Sequence, residues 1–182
     1  MDNIVFLKGE RIHLRALMEK DLNDSYLQWL NDEEVCRSNS HAVFPNTEQR
    51  MRSYFDSLQS QQQNVVLAIV HTDSGKHIGN VSLQNINWIS RNAEFAILLG
   101  DKEFWGGGYG EEAAQLIVDY GFSRLNLHRI YCGTFEDNEG MKKLAARLKM
   151  KQEGLRREAV YKNGSYNNVL EFGVLKSEYY TK

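Results

Sequence analysis

A chain of 182 residues, 42% of them hydrophobic, is long enough to bury one core and too apolar to be disordered. Its 22 basic and 24 acidic residues leave a net charge of −2, which removes any global electrostatic case for nucleic acid or an anionic membrane as the main partner. Two cysteines, Cys36 and Cys132, are too few for a disulfide framework and are not spaced as a CxxC motif. The first ten residues lack the basic and apolar regions of a signal peptide, and no segment approaches the roughly 20 apolar residues of a membrane span. One soluble, cytoplasmic domain over residues 1–182 is expected.

Arg11 to Leu17 alternates apolar and polar side chains, as a half-buried strand does. Leu22, Tyr26, Leu27 and Leu30 recur at helical spacing between Glu19 and Asn31. Met51, Tyr54, Phe55 and Leu58 do the same between Thr47 and Leu58, with Thr47 as a capping residue that lacks the capping box. The loop joining these helices carries His41 and Pro45, and the polar stretch from Gln59 to Gln63 reads as another loop. Val65 to Val70 is an apolar run of strand length, Asp73-Ser74-Gly75 is turn chemistry, and His77 to Leu83 returns as the second arm of a hairpin.

Ala93 to Leu99 is a further strand in which Glu94 is the one carboxylate. Beyond a glycine cluster, Ala113, Leu116, Ile117, Tyr120 and Gly121 share one helical face as far as about Leu125. A strand (Arg129 to Phe135), a short helix (Asn138 to Leu148) and two closing strands (Met150 to Tyr161 and Asn168 to Leu175) follow, the last two joined by Asn163-Gly164. No internal repeat or linker interrupts this pattern of one mixed α/β domain.

Four of the 14 glycines, Gly106, Gly107, Gly108 and Gly110, stand between a strand and the start of a helix. Unpaired backbone N–H groups and the positive end of the helix dipole converge at such a place and suit a phosphate. No Lys-Ser or Lys-Thr follows Gly110, so this is not a Walker loop, and Glu111 stands where GxGxxG needs its third glycine. A plain turn that ends a strand is the alternative.

The segment Phe104-Trp105-Gly106-Gly107-Gly108-Tyr109-Gly110-Glu111-Glu112-Ala113 resembles the acyl-CoA pyrophosphate loop of the GNAT superfamily of N-acetyltransferases, in its ribosomal-protein and spermidine acetyltransferase branch. The likeness extends upstream through Arg91 to Ile97 and downstream through Leu125 to Tyr131, Asn138-Glu139, Glu153-Gly154 and Tyr161 to Tyr166. It implies a mixed, mostly antiparallel sheet of about seven strands flanked by helices and splayed near Leu98 to Gly100, where acetyl-CoA inserts. It further implies that Trp105, Gly106, Gly107, Gly108, Tyr109 and Gly110 hold the pyrophosphate. By the same resemblance Leu98, Leu99 and Gly100 bond the pantetheine and polarise the thioester carbonyl, and Asn138 contacts the pantetheine arm. Two departures stand out: Trp105 replaces the usual Arg or Gln, and Ala145 occupies the place of the tyrosine that often protonates the departing thiolate.

Acetyl transfer to an amine by direct attack needs no cysteine nucleophile. It needs positioning, a neutral amine, oxyanion stabilisation and a proton for the thiolate. Glu94 is the candidate general base, acting through water, against the plainer reading of an exposed or salt-bridged strand residue. Tyr161, and beside it Tyr166, is the candidate substitute acid, against the reading of a packed aromatic. The acceptor is a protein N-terminus, a polyamine, or a small-molecule amine such as a nucleotide-linked amino sugar.

Asp32-Glu33-Glu34 suits an acidic pocket for a cationic acceptor, or simply a solvated helix end. Nine basic against four acidic residues from Ser123 to Arg157 suit either the CoA 3′-phosphate or a solvated surface. His41 roofs the acceptor site or is solvated, and Trp29 and Trp88 are expected as core or interface anchors. The five histidines have no metal-ligand spacing, so no metal is expected, nor a nucleic-acid or membrane partner. These features are compatible with a homodimer. A non-catalytic acyl-CoA-binding module is the alternative to an enzyme.

Overall fold

The alternating and continuous apolar runs become strands of one sheet in the computed structural model, which describes residues 4–39, 41–60 and 62–181. The eight strands are β1 (Leu7–Lys8), β2 (Ile12–Ala16), β3 (Val65–His71), β4 (His77–Asn87), β5 (Asn92–Leu99), β6 (Arg129–Phe135), β7 (Lys151–Lys162) and β8 (Ser165–Leu175). They lie in the order β1-β2-β3-β4-β5-β6-β8-β7. All neighbours are antiparallel except β5 and β6. The strand beyond the expected seven is β1, whose two residues pair with Leu14 and His13 and are too few to leave a periodic signal.

The helices are α1 (Asp24–Asn31), α2 (Glu48–Ser60), α3 (Tyr109–Ser123), α4 (Glu139–Arg147) and the short α5 (Lys176–Tyr179). None of them is long and apolar enough to cross a membrane. The helix expected from Glu19 to Asn31 is divided. Asp21 binds Arg15 through both carboxylate oxygens, at 2.6 and 2.7 Å, and accepts the N–H of Met18. This fixes a single 3₁₀ turn over Glu19–Asp21, after which the Asn23 side chain accepts the N–H of Tyr26 and starts α1 afresh. The loop expected at Gln59 to Gln63 is a correction: Gln59 and Ser60 continue α2, since Gln is a good helix former and no Gly or Pro stops it. Gln61 lies outside the described residues. Thr47 does cap α2, accepting the N–H of Arg50.

β5 and β6 pair only where Asn92, Ala93 and Glu94 face Arg129, Ile130 and Tyr131. Beyond that the two strands part, and the sheet opens into a split between Phe95–Leu99 and Cys132–Phe135. One core packs α3 and α4 on the sheet through Ala113, Ile117, Phe122, Ala145 and Leu148, against Phe95, Ile130 and Phe172. α3 also buries Ala114 and Val118, while Leu116 and Tyr120 are only partly covered, so its buried stripe is turned slightly from the expected face. On the other face a second cluster of Tyr26, Trp29, Leu30 and Met51 covers Leu98 near the end of β5. The two faces of the split therefore carry different machinery.

Candidate active site

The chain reaches α3 through two left-handed glycines, Gly106 at φ 73° and Gly108 at φ 81°, the latter being the residue that precedes the helix. Side chains rarely adopt this backbone, which is why glycine stands there. Among the described residues, the N–H groups from Gly106 to Glu111 donate to no acceptor of the chain. Six consecutive free amides at the positive end of a 15-residue helix form an anion cradle built from backbone.

Two residues that the sequence did not single out hold this cradle. Glu112 accepts the N–H groups of Glu10 (2.7 Å) and Arg11 (2.9 Å) and, more distantly, that of Ile12, latching the first turn of α3 to the β1–β2 turn. Burial pushes the Glu112 carboxyl up, yet these bonds and that of Arg11 Nε outweigh it and hold its pKa below the usual glutamate value. Arg11 also donates to the carbonyl of Gly107 at 2.7 Å and lies 4.8 Å over the Tyr109 ring. The Tyr109 side chain is thus a brace, packed against Phe104 and His71, and it offers the cradle its amide alone. An open groove of about 1030 Å³ leads from Gly108 along Glu111, Gln115 and Asp119, with Lys8, Arg11, Arg147 and Lys149 at its sides. Four carboxylates, Glu10, Glu111, Glu112 and Asp119, line it beside these four cations.

At the end of β5 the backbone groups divide by direction. The Leu98 carbonyl faces β4, since a Cβ on Gly79 would lie 2.4 Å from it. Leu99 points the other way, into the split, and its carbonyl accepts the indole N–H of Trp105 at 2.8 Å. By strand alternation Ile97 shares that direction. The donor expected at Gly100 is committed elsewhere, because its N–H bonds the Ile78 carbonyl at 3.0 Å. Gly100 has a different reason to be glycine: a Cβ there would stand 2.0 Å from the Trp29 ring. Trp29 is accordingly a buried anchor, whereas Trp88 is 49% exposed on the β4–β5 turn.

Glu94 lies where β5 and β6 begin to part, half-buried on the α1 face of the sheet. An irregularity in the β4–β5 pairing turns Asn85 onto it, and the Asn85 amide donates to Glu94 Oε2 at 3.0 Å. No cation pairs with Glu94 among the described residues. Tyr131 faces it across the parallel pair, with its phenol pKa raised by burial first and by the Glu94 charge second. Glu171 stands on the same face, opposite Gly133, and is paired with Arg156.

The remaining expected residues are spread more widely. Asn138 spends its side-chain oxygen on the start of α4, accepting the Met141 N–H at 3.0 Å. Tyr161 and Tyr166 stack edge to face at the tip of the β7–β8 hairpin, 60% and 66% exposed. By alternation from Leu170 and Phe172 they sit on the α3 face, opposite to Glu94. Ala145 is fully buried in the core of α4, so no hydroxyl enters the split from that position.

Both cysteines are buried. Cys36 donates to the Trp29 carbonyl, and burial, with Glu94 and Glu171 behind it, pushes the Cys132 thiol up to about 12. Neither is a nucleophile. Asp32 and Glu34 both bind Lys102, which neutralises much of the acidic run. Five of the nine basic residues of that stretch are likewise paired, Arg129 with Glu153, Arg156 with Glu171, Lys142 with Glu139, Lys151 with Glu178 and Arg147 with Glu111.

Comparison with known proteins converges on this geometry. The acetyltransferase (GNAT) domain model matches residues 11–151. Over 175 residues the chain is 31% identical to an uncharacterised N-acetyltransferase, p20, of Bacillus licheniformis, covering 95% of this chain and 97% of that protein. It is 33% identical over 105 residues to a spermidine N(1)-acetyltransferase of Escherichia coli K12, covering 58% of this chain and 56% of that one. The crystal structure of spermidine N-acetyltransferase from Vibrio cholerae in complex with CoA and spermine superposes with a TM-score of 0.87 at 25% identity, over 95% of this chain and 100% of that chain. A split between parallel β5 and β6, a left-handed glycine cradle at α3 and a domain match over most of the length agree, and the chain belongs to the GNAT family of acetyltransferases.

Proposed function

We propose that this N-acetyltransferase moves an acetyl group from acetyl-CoA to a primary amine by direct attack, with the amine arriving on the Glu94 face of the split. The observation that carries this reading is Glu94 itself, a half-buried carboxylate where β5 and β6 part, held only by the neutral amide of Asn85. A carboxylate without a cation attracts an ammonium and then accepts its proton, here through water. The amides of Gly106 to Glu111 hold the pyrophosphate, and the split-facing backbone of Ile97 and Leu99 orients the pantetheine. For Leu99 this requires the Trp105 indole to share or release the carbonyl it now occupies. The Asn138 side-chain nitrogen is free to face the arm, since its oxygen caps α4. With Ala145 in place of a hydroxyl donor and Tyr161 on the opposite face, the departing thiolate takes its proton from solvent or from the amine.

Cationic acceptors suit this face best, because Glu94 has no cation among the described residues, whereas Glu171 across Gly133 is already held by Arg156. Polyamines head that class, in keeping with the spermine-bound neighbour. The test is a panel of polyamines, peptide N-termini and amino sugars, each assayed for CoA release with acetyl-CoA. Turnover with polyamines above the rest is expected. Cofactor binding without CoA release from any amine would overturn the reading.

A further inference from the structure

Lys162 is the only buried lysine among the described residues, 8% exposed, and no carboxylate pairs with it there. Lysines are almost never buried without a partner. Its ammonium instead donates to three main-chain carbonyls: those of Cys36, of Asn39 at 2.5 Å and of His41 at 2.8 Å. An ammonium has three N–H donors, and all are used. The three carbonyls belong to the loop between α1 and α2, whereas Lys162 ends β7 beside the tight Asn163-Gly164 turn, both of whose residues have positive φ.

The ends of this contact lie on either side of the split. At one end the loop is fixed over β5, where Cys36 donates to the Trp29 carbonyl and Trp29 lies against Gly100. At the other end stands the β7–β8 hairpin, beyond β6 in the sheet. Among the described residues these three bonds are the only hydrogen bonds between the loop and the hairpin. None of them touches α3 or the glycine cradle.

We infer that Lys162 is a positioning residue that clasps the α1–α2 loop as a strap across the acceptor side of the split, so that the loop walls the place the amine enters. The inference rests on the reading that the amine arrives on the Glu94 face. Its charge is needed because the three carbonyls converge on one point, and a neutral side chain of similar size leaves all of them without a donor.

The test compares wild type with Lys162→Met and with Lys162→Cys before and after alkylation by 2-bromoethylamine, which attaches an aminoethyl group to the sulfur and restores an ammonium at nearly the original length. Every arm is made in a Cys36→Ala background, because Cys36 lies in the segment that loss of Lys162 would loosen, whereas Cys132 is buried in the core. In Lys162→Met the KM for the amine should rise about 10- to 100-fold, while the acetyl-CoA Kd stays as in wild type and amide exchange quickens in residues 36–41 but not in α3. Alkylation of Lys162→Cys should recover the KM. A wild-type KM in Lys162→Met, an equal loss of acetyl-CoA affinity, or no recovery on alkylation would each overturn the inference. If Lys162→Met does not fold, the two states of Lys162→Cys decide alone. If wild type acetylates no amine, the proposed function fails, and amide exchange in residues 36–41 still decides whether Lys162 holds the strap.

Discussion

The two sides of the split are assembled from different materials. On the side proposed for the cofactor the free groups are amides, placed by two left-handed glycines and the start of α3, and the side chains of Arg11, Glu112 and Tyr109 act behind them as braces. On the side proposed for the acceptor the groups are side chains of β4, β5, β6 and β8, beneath a loop whose main-chain carbonyls Lys162 holds. The first arrangement tolerates changes of side chain but not an added Cβ or anion. The second tolerates neither the loss of a charge nor a change in packing. Substitutions on one side should therefore leave the function of the other intact, and that separation can be broken experimentally.

The largest effect is expected at Gly108. In Gly108→Asp the new carboxylate lies at the start of α3, where it satisfies the free amides itself and repels the pyrophosphate. Aspartate enters the left-handed region more readily than most residues, so the chain should still fold, at a cost of about 1 kcal/mol. Acetyl-CoA affinity is expected to fall about 100-fold or more, equivalent to roughly 2.7 kcal/mol, a larger loss than the accompanying drop in stability; calorimetric titration and a melting curve check both. Retained affinity would remove the glycine loop from phosphate binding.

Glu94→Gln is the matching break on the other side. It keeps the Asn85 contact geometry but removes the proton acceptor, so kcat/KM should drop about 100-fold, within the range of general-base effects. The acetyl-CoA Kd should not change. Unchanged turnover would exclude Glu94 as the base, and a parallel loss of cofactor affinity would show that the two sides are not separate.

The same division decides what was legible in the sequence. The side proposed for the cofactor is local: the glycines, the start of the helix and the strand before it are contiguous from Ala93 to Gly121, so one stretch of sequence carries both the turn pattern and the family resemblance that assigns it to a pyrophosphate. The turn at Asn163-Gly164 and the capping role of Thr47 were legible for the same reason. Glu112 and Arg11 were not, because their bonds join residues about 100 positions apart. Gly100 was read as a cofactor contact, yet its cause is the Trp29 ring, a packing fact that no local pattern reports. The acceptor side is nearly all of this kind. Lys162 looks like an ordinary strand-end lysine until the fold brings Cys36, Asn39 and His41 around it.

A smaller effect should follow from Glu112→Ala, which tests whether the braces matter to the cradle. It leaves the N–H groups of Glu10 and Arg11, at the exposed edge of the sheet, to water, and removes one partner of the Arg11 side chain, which keeps the Gly107 carbonyl. Urea unfolding should show a loss of about 1–3 kcal/mol. Acetyl-CoA affinity should fall less than in Gly108→Asp, because the amides remain. Turnover at saturating acetyl-CoA should stay near wild type, as the acceptor side is untouched.

The mildest perturbation is pH, and it should reach the acceptor side first. His77 packs beneath Tyr26 and Trp29, with Nε2 on the Gly79 carbonyl and Asn80 and Nδ1 3.8 Å from Asp21. Burial holds its pKa below 6.5 despite the Asp21 charge, and burial and then Arg15 do the same for His13, whose Nε2 is buried without a partner. Above pH 6.5 both imidazoles are neutral in the folded and unfolded chain and contribute no pH dependence. As the pH falls below 6.5 the unfolded chain takes up protons that the fold resists, so stability declines until the folded pKa is passed, by at most about 1.4 kcal/mol per pH unit for each histidine. The Asp21 carboxyl works in a separate and lower window: burial opposes its ionisation, but the Arg15 and Met18 bonds hold its pKa below 3.8, and its contribution is lost only as the pH falls through that depressed value. Urea unfolding at pH 7.5, 6.5 and 5.5 should therefore show a decline in the acid step that His77→Gln reduces. Amide exchange at pH 5.5 should quicken in α1 before α3, because the histidine under strain lies beneath α1 and Glu112, below its usual range, stays ionised. Equal loosening of the two helices would mean that the split does not divide the molecule energetically, whatever it does to the chemistry.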